Sequence, residues 1–219
     1  NKLIMIGLAS GLSLGTLGFT HCSIEDMGVL QSIPNIDILS PSDPLETALA
    51  IIQSIKSKNS TYIRLTGVAN SKQINFSSKY FKISKAKYLR EGNEIALISC
   101  GSIMSEVLNA ALMVEKQINK KISVINFHTI KPLDEKLLSN IFKKYRAIVT
   151  IEEHNIFGGL GSQIAKFKTF FKEAPPQLII GINDNYGKCG NYDEMKKIYN
   201  LDEVSLYKKI LKFYEQTKL

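Results

Sequence analysis

Gly15-Thr16-Leu17-Gly18-Phe19-Thr20-His21 sets one imidazole at the end of a loop with two closely spaced glycines, and a third, Gly11, lies just ahead. Glycine lets backbone turn through positive φ or approach a neighbour closely. Imidazole, with an ordinary pKa of about 6.5, donates or accepts a proton near neutrality. The combination has the form of a site in which His21 is the acid–base or hydrogen-bonding group; the structural alternative is a loop histidine that fixes the glycine turn. Cys22 follows His21 and Asp26 follows Glu25, but neighbouring side chains diverge, so neither a Cys–His pair nor a coupled carboxylate pair is expected. Glu25 and Asp26 read instead as favourable charge in the first turn of a helix.

The other concentration of chemistry is Ile151-Glu152-Glu153-His154-Asn155-Ile156-Phe157-Gly158-Gly159-Leu160-Gly161. Two adjacent carboxylates and one histidine lack the convergent i, i+4 spacing of a helical HExxH zinc site, and the glycines do not make GxGxxG. Neither zinc chemistry nor dinucleotide binding follows. Cys22, Cys100 and Cys189 are an odd number without CxxC spacing, which favours a reducing, cytoplasmic compartment over a disulfide scaffold. Cys100 and Cys189 read as small packing residues.

A loop such as Gly11–His21 needs a strand to present it. Leu3 to Leu8 is a short apolar run, expected to be a central parallel strand covered on both faces, with the loop at its carboxyl end where ligands of open α/β sheets gather. A short helix from Ser23 ends at Pro34. Ile36–Leu39 reads as a second strand, and Asp43-Pro44-Leu45-Glu46 writes a helix start with Asp43 as N-cap and Glu46 completing a capping box. Leu45, Ala48, Leu49, Ile52 and Ile55 give that helix its expected buried stripe. Thr61–Leu65 is a third strand. The chain then turns irregular, with strand content expected around Lys79 to Leu89. From Asn93, strands at 95–99, 122–127, 147–151 and 178–182 alternate with helices opening at Ser102, at Pro132 and near Gly161, and a last helix covers about 206–216. This alternation predicts α/β architecture with mostly parallel sheets.

The 219 residues, 44% hydrophobic and 22% charged, are ordinary globular composition. The net charge of +8 is uneven: residues 47 to 90 carry nine Lys or Arg and no Asp or Glu. That stretch could serve phosphorylated ligands or nucleic acid, but its aromatics lack an RNP-like pattern, and a solvated lysine-rich face is the preferred reading. The apolar run after Asn1-Lys2 imitates a signal peptide yet leads straight into the glycine loop without a cleavage site. It is too short and broken to span a membrane.

Taken together, the Gly-x-Thr-His loop, the segment from Leu30-Gln31-Ser32-Ile33-Pro34 through Asp43-Pro44-Leu45-Glu46, the Glu-Glu-His-Asn block and Phe127-His128-Thr129-Ile130-Lys131-Pro132 resemble the transketolase family, in particular its separately encoded C-terminal subunits. The two motif blocks lie in the family's order about 130 residues apart. The resemblance implies two three-layer α/β/α domains with mostly parallel sheets, the first incomplete: residues 1–75 as the latter part of a thiamine-diphosphate pyrimidine-binding domain, 76–92 as linker, and 93–219 as the transketolase C-terminal domain. It implies transfer of a two-carbon ketol unit between sugars, with thiamine diphosphate as electron sink. His21 would lie beside the aminopyrimidine and the reacting carbonyl, making it both the catalytic and the cofactor-binding residue, while His128 and the Glu-Glu-His block would be structural.

The family's diphosphate-binding domain, with Mg²⁺ or another divalent ion, is expected from an N-terminal partner subunit, and the glutamate that activates the cofactor falls ahead of Asn1. Self-association into a dimer, and a heterotetramer with the partner, are implied; nucleic acid and membrane are not. Family members acting on sugar phosphates usually carry a substrate-binding histidine near Ala9, an aspartate at Leu17 and a phosphate-gripping arginine near Gly67; here these positions are apolar or glycine, and Phe19 replaces the usual proline. Losing a charge-assisted phosphate clamp removes much of that ligand's affinity, so the sugar is left open. The alternatives are a non-catalytic assembly or regulatory module of such a complex, and the β subunit of another thiamine-diphosphate enzyme.

Overall fold

The apolar runs become strands in a computed structural model that describes residues 1–67, 81–185 and 187–217. In the first part of the chain these are β1 (Ile4–Gly7), α1 (Asp26–Gln31), β2 (Ile36–Leu39), α2 (Pro44–Lys56) and β3 (Ser60–Arg64). Next come β4 (Lys87–Arg90), β5 (Ala96–Ser99), α3 (Met104–Ile118), β6 (Ser123–Asn126), β7 (Thr129–Lys131) and α4 (Glu135–Lys144). The chain finishes with β8 (Ile148–Asn155), α5 (Leu160–Lys168), β9 (Gln177–Ile182), α6 (Tyr192–Ile198) and α7 (Glu203–Gln216). The fold is mixed α/β with two mostly parallel sheets, ordered β1-β3-β2-β7 and β4-β6-β5-β8-β9.

Two strands run against their neighbours. β4 overlaps the end of the strand content expected at 79–89 and pairs antiparallel with β6. The expected strand content at 79–89 falls partly on residues 79 and 80, outside the described residues. β7 leaves the second half of the chain and pairs antiparallel with β2, so His128 sits at a crossover between the sheets. Its ring is buried and stacks on Phe81 with centroids 3.9 Å apart.

The core also joins the halves. Met27, Ile36, Ile38 and Tyr62 of the first sheet region share one buried cluster with Ile98, Ile125, Phe127 and Ile148. Leu12, Cys22 and Ile24, from the glycine loop, belong to a second cluster with Met104, Val107, Ile151 and Met195. The loop bearing His21 therefore packs into the core of the other sheet.

Two expectations about the first half are corrected. Among the described residues β1 is an edge strand, paired only with β3, and Leu3, Ile6 and Leu8 are exposed rather than covered. In α2, Asp43 does accept the Glu46 amide as N-cap, but Glu46 is turned inward, where its carboxylate accepts the amide and hydroxyl of Ser42 and the side-chain amide of Asn126. The buried face of α2 is Glu46, Ala50 and Ser54, so Leu45, Ile52 and Ile55 of the expected core stripe face outward.

Candidate functional site

His21 closes a short 3-10 turn, Phe19–His21, entered through Gly18 at φ 85°, ψ 177°, a conformation open in practice only to glycine. The imidazole is exposed; its Nδ1 meets the Thr20 hydroxyl at 3.1 Å, and the described residues offer Nε2 no partner. A free ring nitrogen on a turn at the carboxyl end of a parallel strand can bind or exchange a proton with a ligand.

Buried charged groups fix both ends of this loop. At its start, Glu153 of β8 accepts the Leu12 amide at 2.7 Å and, through its other oxygen, the Ser102 and Tyr192 hydroxyls. A side chain on Gly11 would collide with that carboxylate. At its end, the buried Arg64 guanidinium donates to the Ser23 carbonyl at 3.2 Å and to the Glu153 carbonyl at 2.9 Å, while Nε lies 2.9 Å from the Asp26 carboxylate. Asp26 also accepts the Tyr62 hydroxyl at 2.7 Å, and this carboxylate together with burial pushes the Tyr62 phenol up to about 12, burial being the larger cause. Backbone pairing between Ser10 and Leu65, Gly11 and Ser23, and Gly15 and Gly190 completes the frame.

The Glu-Glu-His block is thus a latch. All three side chains are buried and lie within β8, not beyond its end. Glu152 accepts the Leu160 and Gly161 amides at the start of α5; burial nevertheless raises its carboxyl to about 7. Glu153 is also shifted upward by burial, against the pull of Arg64. His154 sits with Nδ1 2.7 Å from the Asn155 carbonyl and Nε2 3.3 Å from the Gly28 amide of α1. Burial first, then the Arg64 charge, lower it to about 4, so it is a neutral hydrogen-bonding group at pH 7. Gly158, at φ 83°, lies so close to Gly28 that it has no room for a side chain, while a Cβ on Gly28 would press on the Phe157 carbonyl at 3.2 Å.

The sequence pattern separates Glu25 from Asp26 correctly but does not show Asp26's buried partner, 38 residues away, because Arg64 falls within the basic stretch read as surface. Arg90 of that stretch is likewise paired, with Glu115 at 2.6 Å, and Lys72 and Lys79 lie outside the described residues. Cys189, expected to be a packing residue, is exposed. At the carboxyl ends of β8 and β9, Ile24, Glu25, Asn155, Asp184 and Asn185 line a cavity of about 350 Å³.

The exposed His21 ring suits an aminopyrimidine or a reacting carbonyl. Among the described residues no three His, Cys, Asp or Glu side chains converge on one point. No helix among the described residues is long and apolar enough to cross a membrane.

Comparison with known proteins gives these residues a lineage. Residues 1–68 match the transketolase pyrimidine-binding domain and residues 84–206 the transketolase C-terminal domain. An apulose-4-phosphate transketolase subunit of Actinobacillus succinogenes is 35% identical over 206 residues, 92% of this chain and 65% of that protein. A 6-deoxy-6-sulfo-D-fructose transketolase subunit of a Clostridium species is 31% identical over 198 residues, 90% of this chain and 60% of that protein. This chain therefore spans about two thirds or less of the length of these relatives. Among solved structures, a split-gene transketolase described as an inactive beta4 tetramer superposes with a TM-score of 0.83 at 25% identity, covering 98% of this chain and 67% of that one. The chain belongs to the transketolase family.

Proposed function

We propose that this chain is the C-terminal part of a thiamine-diphosphate-dependent transketolase that moves a two-carbon ketol unit between sugars and works only with an N-terminal, diphosphate-binding subunit. The observation that carries the reading is the treatment of the His21 loop, clamped at both ends by the buried Glu153 and Arg64 while its imidazole is left exposed and half free. Fixing a loop that tightly while exposing its one titratable tip favours positioning of a reacting group over mere packing. The cofactor, when bound, supplies the electron sink. His21 holds the aminopyrimidine or the substrate carbonyl and moves a proton there.

The division into 1–75, 76–92 and 93–219 is kept as part of this proposal. The divalent ion and the diphosphate are assigned to the partner subunit, as the likeness to separately encoded transketolase subunits implies. The apolar stripe of α2 and the edge of β1 that is unpaired among the described residues suit that partner or a second copy, giving a dimer or heterotetramer. Three free cysteines fit a reducing, cytoplasmic setting. Leu17, exposed in the His21 loop, and Gly67 offer no charge to a sugar phosphate, which favours a modified sugar over a standard pentose phosphate. The relatives' names, one an apulose-4-phosphate and one a 6-deoxy-6-sulfo-D-fructose transketolase subunit, are in keeping with a spread of substrates.

The test is a ketol-transfer assay with thiamine diphosphate and Mg²⁺, using the whole gene product mixed with its diphosphate-binding subunit, wild type against His21→Ala. Activity in the mixture, falling at least tenfold in the variant, about 1.4 kcal/mol of transition-state stabilisation, supports the proposal. A formed complex without turnover on any ketose donor makes the chain an assembly module instead.

A further inference from the structure

Cys22 and Cys189, 167 positions apart in sequence, converge on one turn. The Cys22 thiol points at the Gly18 carbonyl at 3.8 Å, and the Cys189 thiol at the Thr16 carbonyl at 3.5 Å. The segments carrying them are joined directly, Gly190 donating its amide to the Gly15 carbonyl at 3.1 Å. A side chain on Gly187 would collide with Tyr199, just after α6, and would touch the Phe19 ring of the His21 turn. Charge on Cys189 is among the causes that raise the Cys22 thiol, ranking ahead of Glu25 only three residues along the chain. The two sulfurs differ in access: Cys22 is buried and Cys189 exposed, while Cys100 is buried elsewhere, beside Glu152 and Arg64.

We propose that Cys22 and Cys189 form a reversible disulfide that ties the residue next to His21 to the segment ahead of α6. An exposed thiol facing the same turn as a buried one can act as the attacking cysteine, with the buried one as the resolving cysteine. The oxidant is a small-molecule disulfide such as oxidised glutathione. The Cys189 thiolate attacks one glutathione sulfur, forming a mixed disulfide and releasing one glutathione thiolate. The Cys22 sulfur, giving up its proton to solvent, then attacks the Cys189 sulfur and expels the second glutathione thiolate. The protein loses two electrons and two protons overall, and one oxidised glutathione becomes two reduced ones. A disulfide needs Cα atoms roughly 4.4–6.8 Å apart, so forming it requires residues 187–190, which belong to neither strand nor helix, to shift towards the turn. The bond would fix the backbone beside His21 whatever reaction His21 serves, so its test is independent of the ketol-transfer reading.

The chain is incubated with oxidised glutathione under native conditions, its remaining thiols are alkylated, and peptides are mapped by mass spectrometry. The expected result is loss of two of three thiols, a Cys22–Cys189 cross-linked peptide at monomer mass, Cys100 alkylated, and full recovery of thiols with dithiothreitol. Cys100→Ser should behave as wild type, and Cys189→Ser should leave Cys22 reduced. The same treatment in denaturant should scramble the pairing. A stable glutathione adduct on Cys189 with Cys22 free, a chain-to-chain Cys189 bond, or a native pairing no different from the denatured mixture would each overturn the proposal.

Discussion

Glu153 holds the Leu12 amide at 2.7 Å, so a strand of the second sheet fixes the start of a loop that leaves the first. The same carboxylate accepts the Ser102 and Tyr192 hydroxyls. Glu153→Ala strands the buried Leu12 amide and two half-buried hydroxyls together, and leaving a buried donor unmade costs about 1–3 kcal/mol. The variant should lose about 3 kcal/mol or more in urea unfolding, with Glu153→Gln, which keeps one acceptor oxygen, losing less. Equal losses in the two variants would mean that the carboxylate packs rather than bonds.

Arg64 and Asp26 form the buried ion pair of the molecule's middle, with side chains 4% and 10% exposed. Removing one member leaves the other as an uncompensated buried charge, at a cost of about 3–5 kcal/mol. Arg64→Met and Asp26→Leu should each fall in that range, and the double variant should be less destabilised than the sum of the two. Strict additivity in the double-mutant cycle would refute the coupling.

His154 and Glu152 should tilt the pH dependence of stability in opposite directions. His154 titrates near 4 in the folded chain, below its ordinary 6.5. As pH falls from 6.5 towards 4 the unfolded chain takes up a proton that the folded one refuses, so stability present above 6.5 drains away, by about 3 kcal/mol in full. Glu152 titrates near 7, above its ordinary 4.5. Its contribution is complete below 4.5 and is lost as pH rises through 7, by a similar amount. Relative to wild type, His154→Gln should therefore gain stability on moving from pH 7 to pH 5, and Glu152→Gln should lose it. Parallel pH profiles for all three proteins would show that neither group titrates abnormally.

The features legible in the sequence are those whose causes lie close together along the chain. Asp43 caps α2 and accepts the Glu46 amide because the whole motif spans four residues, and β2 and β3 are visible as bounded apolar runs. What stays hidden is set at long range. Glu46 faces inward because Asn126, 80 positions away, meets it, and that rotates the apolar stripe of α2 towards solvent. Asp26 is buried because β3 brings Arg64 to it. β7 is three residues long, too short for alternation to declare itself, and α6 rests on a capping box at Asn191 and Glu194 within a stretch without a long apolar period. His21 is recognisable from its glycine loop, whereas its two clamps, Glu153 and Arg64, lie in other motifs.

The exposed apolar surface of the first half should make the isolated chain associate. β1 leaves one edge unpaired among the described residues, with Ile6 48% and Leu8 70% exposed, and α2 adds Leu45, Ile52 and Ile55. An open strand edge beside apolar side chains is a template for pairing with another chain. Light scattering on the purified chain should give a mass above 24.5 kDa at micromolar concentration. Ile6→Lys puts a charge on that edge and should lower the associated fraction, while Ile55→Lys tests the α2 face separately. If either substitution alone returns the chain to monomer, that face is the interface; a wild-type chain that stays monomeric and monodisperse would show that neither surface is sticky enough to act without a partner.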